Sequence, residues 1–293
     1  MTTSAIPDRQ YPGAVVNITN RCSLSCRHCF VYREGNPNQP RQEMDSATMV
    51  RKLAELQKRC GILTMLWMGG EPLLRPEVLR EGAKLFGRNT VTTNGTLDLI
   101  ELPRCIYVIS LDGPPELNDA IRGKGTFARV MKTLRRVPAK FGPTLMCQCV
   151  VTRLNEDRLE ELVARLRPTR IQGLTFSFYV PRQKDDSELT WGSLERRDRA
   201  VREAIRLKEK YPDFIWSKRR SLELMLSPHA KAVTDHCPAK QYVLPLYLEG
   251  EEFVIPYCCY GNDVDCDLCG AWVVFYLAAK LPVQLWDKRT PVD

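Results

Sequence analysis

Apolar runs of strand length alternate with helical stretches through the first 180 residues, and this constrains the fold more than any other feature. The runs read as strands at about 14–19, 62–68, 89–93, 105–111, 144–151 and 171–180. Between the first two, Asp45 or Ser46 is placed to cap a helix with Met49, Leu53, Leu56 and Cys60 on one stripe, closed by Gly61. Thr126–Val137 reads as another helix. Asn155 is placed to cap a third that carries Leu159, Leu162, Val163 and Leu166 and stops before Pro168. Continuous apolar strands separated by helices predict a parallel sheet covered by helices, an α/β fold. In such folds the functional residues belong at the C-terminal ends of the strands.

The first strand runs into Cys22, Cys26 and Cys29, spaced C-x3-C-x2-C. Three thiolates on one short loop can hold three irons of a [4Fe–4S] cluster and leave the fourth open to a ligand. Zinc is the competing reading, with His28 available as a further ligand. A disulfide framework fits poorly, because three is odd and Met1–Tyr11 is polar and proline-punctuated, unlike a signal peptide.

The cysteine spacing, followed by the aromatic Phe30, resembles the signature of radical S-adenosylmethionine (SAM) enzymes. The resemblance implies that SAM chelates the open iron and is cleaved by one electron to methionine and a 5′-deoxyadenosyl radical. That radical takes a hydrogen atom from an unactivated C–H bond. Three further stretches are similar to motifs of the same family and follow in the same order. Gly69-Gly70-Glu71-Pro72 resembles the segment that holds the SAM amino group. Thr92-Thr93-Asn94-Gly95 stands where the family places a polar strand end near SAM, with Thr93 and Asn94 as candidates. Ser110-Leu111-Asp112-Gly113 resembles a segment of the peptide- and sugar-modifying branch, which makes Ser110 and Asp112 candidates. Arg122 matches an arginine that pairs with the SAM carboxylate. The fold so implied is a partial (β/α)6 TIM-type barrel over residues 1–180.

Beyond residue 180 the alternation stops. A charged helical connection is expected over 181–230, then a cysteine-rich region with a C-terminal helix over 231–293. That region carries Cys237, Cys258, Cys259, Cys266 and Cys269. Four thiolates suit either zinc or a second cluster. The position resembles the "twitch" extension, a shortened SPASM domain, which implies one auxiliary [4Fe–4S] cluster. Cys237, Cys266, Cys269 and one of the Cys258–Cys259 pair are the expected ligands. The other of the pair is either packing or a thiol that returns a hydrogen atom to a substrate radical, as radical epimerases require. Cys60, Cys105, Cys147 and Cys149 lie in apolar runs and read as small buried hydrophobes, with Cys147 and Cys149 lesser candidates for the thiol.

Twelve cysteines without a secretory context point to metal ligands in a reducing compartment, so a cytoplasmic location is expected. A net charge of +8 fits an acidic flavodoxin- or ferredoxin-type electron donor, although the richest stretch, Glu195–Lys210, alternates sign as solvated helices do. No nucleic-acid motif and no membrane-spanning run is present, and a monomer is expected. Few residues precede the first strand, which disfavours a cobalamin or leader-peptide domain ahead of it. The leading expectation is hydrogen abstraction from a peptide or carbohydrate-like natural product, giving epimerisation or dehydrogenation. Thioether or C–C crosslinking of a peptide is the second expectation. A non-enzymatic iron–sulfur electron carrier is the third.

Overall fold

Gly13–Asn17 forms β1, the strand that leads into the N-terminal cysteine loop. The computed structural model describes residues 6–32, 42–255 and 263–282. After β1 comes α1 (Ser46–Cys60), which begins and ends where the sequence expects. The Asp45 carboxylate accepts from Thr48 N, and Gly61 closes the helix in the left-handed region at φ 62°. Met49, Leu53, Leu56 and Cys60 are all buried, and a fully buried leucine is worth about 1.5–3 kcal/mol. The chain continues through β2 (Thr64–Met68), α2 (Pro76–Gly82), β3 (Arg88–Thr93), β4 (Cys105–Ser110), α3 (Pro115–Arg122) and α4 (Thr126–Arg136). Next come β5 (Thr144–Val151), α5 (Leu159–Leu166) and β6 (Gly173–Phe178). Every apolar run read as a strand is one, within a few residues at its ends.

Asn155 does not cap α5. Its amide nitrogen donates to the Asp112 and Val150 carbonyls, while its oxygen accepts from Thr152 N and Oγ1. A one-turn 3₁₀ helix, Glu156–Arg158, separates it from the α-helix. Leu159, Leu162, Val163 and Leu166 are nevertheless the buried face of α5.

The charged region forms α6 (Leu194–Lys210), α7 (Arg219–Glu223) and α8 (Ser227–Asp235), followed by α9 (Pro238–Tyr242), β7 (Val243–Glu249), β8 (Glu252–Val254) and α10 (Trp272–Ala278). Two compact units result. One gathers the described residues of Met1–Ser110, Arg122–Leu145 and Tyr242–Asn262, the other those of Leu111–Ile121, Met146–Gln241 and Asp263–Asp293. β7 and β8 belong to the first unit, and β5 from Met146 onward and β6 to the second.

In the first unit β4, β3, β2, β1 and β7 form consecutive parallel pairs, and β8 closes the edge antiparallel to β7. The registers Asn17↔Met68 and Thr93↔Ile109 bring the C-terminal ends of these strands to one edge. Pro245 hid β7 from the sequence reading, since proline argues against a strand. It lies opposite Val15 in the β1 ladder, and pairing with β8 begins only at Tyr247, past the proline. In the second unit β5 and β6 pair in parallel over Met146–Val151 and Gly173–Phe178. Among the described residues no helix is long and apolar enough to cross a membrane.

Candidate functional site

The edge formed by the C-terminal ends of β1 to β4 carries the N-terminal cysteine loop. Cys22, Cys26 and Cys29 are half-buried on that loop. Its path is fixed from both sides. Gly70 N donates to Thr19 O at 2.8 Å and Glu71 N to Arg21 O at 2.9 Å, so the turn after β2 lies flat against the loop. A Cβ at Gly69 would stand 2.7 Å from Thr19 O, and one at Gly70 would run into the Arg21 carbonyl and the Tyr32 hydroxyl. Only glycine allows this approach. Pro72 is buried at the start of the 3₁₀ turn that follows.

Glu71 is fully buried. Its carboxylate accepts from Leu73 N (3.1 Å), Thr93 Oγ1 (2.8 Å) and Asn94 N (2.8 Å). It thus ties the β2 turn to the end of β3. Burial raises its pKa to about 7, and the hydrogen bonds from Asn94, Thr93 and Leu73 pull the other way. Thr93 is buried and accepts from Gly95 N. The Asn94 amide reaches the loop itself, donating to Cys22 Sγ at 3.8 Å and Ser23 Oγ at 3.1 Å.

Several residues that sequence reasoning missed complete the support. Glu43 accepts from Thr19 Oγ1 (2.9 Å) and Asn20 N (2.6 Å). Buried Arg75 donates to Ile18 O at 3.1 Å and to Ser46 Oγ at 2.9 Å. Asn20 donates to Leu248 O on β7, and the Tyr32 hydroxyl donates to Asn20 O. No motif flags Glu43 or Arg75, because each bonds a backbone group and a common hydroxyl rather than a recognisable partner pattern.

The donor set fits an iron–sulfur cluster. Tyr32 N donates to Cys29 Sγ at 3.4 Å and Asn94 to Cys22 Sγ, the N–H···S bonds that support thiolate ligands. Burial pushes the Cys22 thiol up to about 11, so metal binding has to displace its proton. Among the described residues no three His, Cys, Asp or Glu side chains converge tightly enough to hold a single ion. A cluster does not ask for that, because each cysteine binds a different iron. Fully buried Asn17, at the end of β1, has no hydrogen-bond partner for either amide atom among the described residues, which suits a polar ligand at this edge.

Arg122 is buried, with Nη2 at 3.3 Å from His28 Nε2. A guanidinium only donates, so Nε2 is the acceptor in this contact. Phe30 and Ser110 are half-buried, Ser110 at the end of β4.

In the second unit, the Asp112 carboxylate accepts from Val150 N at 2.8 Å, which fixes the Leu111–Gly113 segment onto β5, and the Asp112 N–H donates to Asn118 Oδ1. Cys147 and Cys149 are fully buried on β5. Cys60 and Cys105, in the first unit, are buried on α1 and β4. Cys266 and Cys269 flank a one-turn 3₁₀ helix, with Cys269 N donating to Cys266 O. That turn is fastened to the C-terminal end of β6 by Phe178 N to Gly270 O (2.8 Å) and Trp272 N to Ser177 Oγ (3.1 Å). Cys237 lies between α8 and α9 and is half-buried. Cys258 and Cys259 lie outside the described residues. Beside this turn stands Arg197, 2% exposed, a residue the sequence did not mark. Burial lowers its pKa to about 10, with Cys269 and Asp198 acting against that.

A model of the Radical SAM superfamily matches residues 16–166 of the chain. Molybdenum cofactor biosynthesis protein 1 of Mus musculus is 32% identical over 170 residues, 53% of this chain and 26% of that protein. The antilisterial bacteriocin subtilosin biosynthesis protein AlbA of Bacillus subtilis (strain 168) is 35% identical over 149 residues, 46% of this chain and 32% of that protein. The chain therefore spans about a quarter to a third of the length of these curated relatives. Among solved structures, Streptococcus suis SuiB bound to precursor peptide SuiA aligns with TM-score 0.61 at 16% identity, over 81% of this chain and 58% of SuiB. Native anSMEcpe with bound AdoMet aligns with TM-score 0.57 at 17% identity, over 74% and 67%. At such identity these structures establish the fold alone.

Proposed function

This chain belongs to the radical SAM superfamily, and from that premise we propose that it modifies a peptide by abstracting a hydrogen atom from one of its C–H bonds. As a member of that family it uses a [4Fe–4S] cluster with SAM, which on one-electron reduction supplies a carbon radical able to break an unactivated C–H bond. The observation that carries the reading is the shared edge of β1 to β4. There the cysteine loop, the Gly69–Glu71 turn and Asn94 are tied together by the hydrogen bonds from Gly70, Glu71 and Asn94.

Within it, Cys22, Cys26 and Cys29 hold the three irons. The close turn at Gly69 and Gly70 offers backbone to the SAM amino group, Glu71 braces that turn, and Arg122 serves the SAM carboxylate. Thr93, Asn94 and Ser110 line the same edge, and Phe30 flanks the cluster loop. Asp112 holds the Leu111–Gly113 segment in place. A peptide is favoured over a carbohydrate because a relative by name serves bacteriocin biosynthesis and a fold neighbour holds a precursor peptide. An auxiliary [4Fe–4S] cluster on Cys237, Cys266, Cys269 and one of Cys258 and Cys259 completes the reading. The substrate radical is then closed in one of two ways. A hydrogen atom returned from the spare thiol gives epimerisation and leaves a thiyl radical, which one electron from the external donor and a solvent proton return to the thiol. One electron lost to the auxiliary cluster, with a proton to solvent, gives dehydrogenation or, with a substrate nucleophile, a crosslink. The electron donor is of flavodoxin or ferredoxin type.

The test is anaerobic incubation of the reconstituted chain with SAM and dithionite, followed for methionine and 5′-deoxyadenosine. Turnover that is abolished in Cys26→Ala is expected. Equal product from both proteins would remove the reading. With a peptide substrate in deuterium oxide, solvent label in the product marks epimerisation and its absence marks oxidation.

A further inference from the structure

Arg197 is a buried cation held almost entirely by neutral groups. Nη1 donates to Leu268 O and Cys269 O, both at 3.0 Å, and Nη2 to Met225 O at 2.8 Å. Its Nε has no hydrogen-bond partner among the described residues. The acidic groups acting on it are Cys269 first and Asp198 second. Asp198, however, uses its carboxylate to accept from Ser227 N and Oγ, both at 2.9 Å. A guanidinium taken out of water without a matched anion costs several kcal/mol. The uncompensated charge lies against the Cys266–Cys269 turn, where thiolates would supply the missing negative charge.

We propose that Arg197 is a positioning residue for the auxiliary cluster: it fixes the Cys266–Cys269 turn through two carbonyls and lends the cluster a buried positive charge that favours its reduced state. The inference rests on the auxiliary-cluster reading above. The planar fork is what lets one side chain hold the 268–269 carbonyls with one nitrogen and Met225 with the other. A cluster with four thiolates goes from charge −2 to −3 as it accepts one electron. A fixed cation beside it therefore stabilises the reduced form more than the oxidised one.

The experiment compares the full chain, anaerobically reconstituted, as wild type, Arg197→Lys and Arg197→Met. Iron and sulfide are counted, and dithionite redox titrations are followed by EPR. The SAM-responsive signal of the N-terminal cluster reports that each variant is folded. Wild type is expected to hold about eight irons. Arg197→Met should keep the N-terminal signal and lose auxiliary-cluster occupancy. The remaining auxiliary cluster should be harder to reduce by at least about tenfold, or about 59 mV for one electron. Arg197→Lys, which keeps the charge without the fork, should lose occupancy but hold the potential within that margin. Arg197→Met with about eight irons and an unchanged auxiliary potential would overturn the inference while leaving the auxiliary cluster in place. Wild type with about four irons would overturn the auxiliary cluster itself, and this inference with it. If Arg197→Met loses the N-terminal signal too, Arg197→Lys decides: full occupancy there refutes the positioning role, and reduced occupancy with an intact N-terminal signal supports it.

Discussion

The N-terminal cysteine loop leans on side chains from many strand ends and neighbouring segments, whereas the carbonyls of the C-terminal Cys266–Cys269 turn lean on one buried guanidinium, with the end of β6, the Pro181 carbonyl and exposed Lys231 as its other supports. Glu43, Arg75, Asn94 and the paired amides of Gly70 and Glu71 all converge on Ile18–Cys22. Arg197 alone reaches the 268–269 carbonyls by side chain. A distributed support tolerates the loss of any one polar contact but not a change in backbone approach. A concentrated support fails at one residue. The comparison thus separates the substitutions that should damage one cysteine group from those that should damage the other.

The largest effect is expected at Gly70. An added methyl meets the Arg21 carbonyl and the Tyr32 hydroxyl, so the loop must move. Gly70→Ala should cost more than about 2 kcal/mol and strip the N-terminal cluster. Iron bound by the C-terminal cysteines should survive, which iron counting and EPR would show. Equal loss from both groups would break the comparison.

Next is the pH dependence carried by Glu71. Its native pKa of about 7 lies above the ordinary 4.5, so the folded chain holds a proton that the unfolded chain releases. Stability should therefore fall as pH rises from about 4.5 to about 7, by on the order of 3 kcal/mol. In Glu71→Gln that slope should be absent. Urea unfolding of both proteins across this range measures the difference, and parallel curves would contradict it.

A smaller effect is expected from Asn94→Ala, which removes one N–H···S bond to Cys22 and leaves Glu43 and Arg75 in place. A loss of about 1 kcal/mol is expected, with the N-terminal cluster retained but shifted in potential. Complete loss of that cluster would mean the support is not distributed. The smallest effect belongs to Lys231, whose exposed ion pairs with Asp235 and Asp267 lie beside the C-terminal turn. Lys231→Ala should change stability by less than about 1 kcal/mol and leave iron content unchanged. A large loss would move the support of that turn from Arg197 to surface charge.

Much of this was legible in the sequence, for a physical reason. Parallel strands write continuous apolar runs, and α1 writes its cap at Asp45, its stripe and its stop at Gly61. The cysteines and the Gly69–Glu71 turn are visible because cluster binding and close backbone approach each demand one residue type. What stayed hidden acts through the backbone. Arg75 and Arg197 bind carbonyls, which any sequence supplies, so no partner motif marks them. β7 was hidden by Pro245, and its place beside β1 is a long-range pairing that local periodicity does not encode. Asn155 looked like a cap because asparagine favours caps, but tertiary bonds to Asp112 and Val150 claimed it instead.

The central claim is that three N-terminal cysteines hold a SAM-binding cluster and the C-terminal cysteines hold a second. Iron counting and EPR of the anaerobically reconstituted chain, with and without SAM, test it directly against the Cys22→Ala/Cys26→Ala/Cys29→Ala variant. The account predicts about eight irons in wild type, about four in the variant, and a SAM-shifted signal that only wild type shows. About four irons in wild type, all lost in the variant, would contradict the second cluster. A wild-type signal that SAM leaves unmoved would contradict the first.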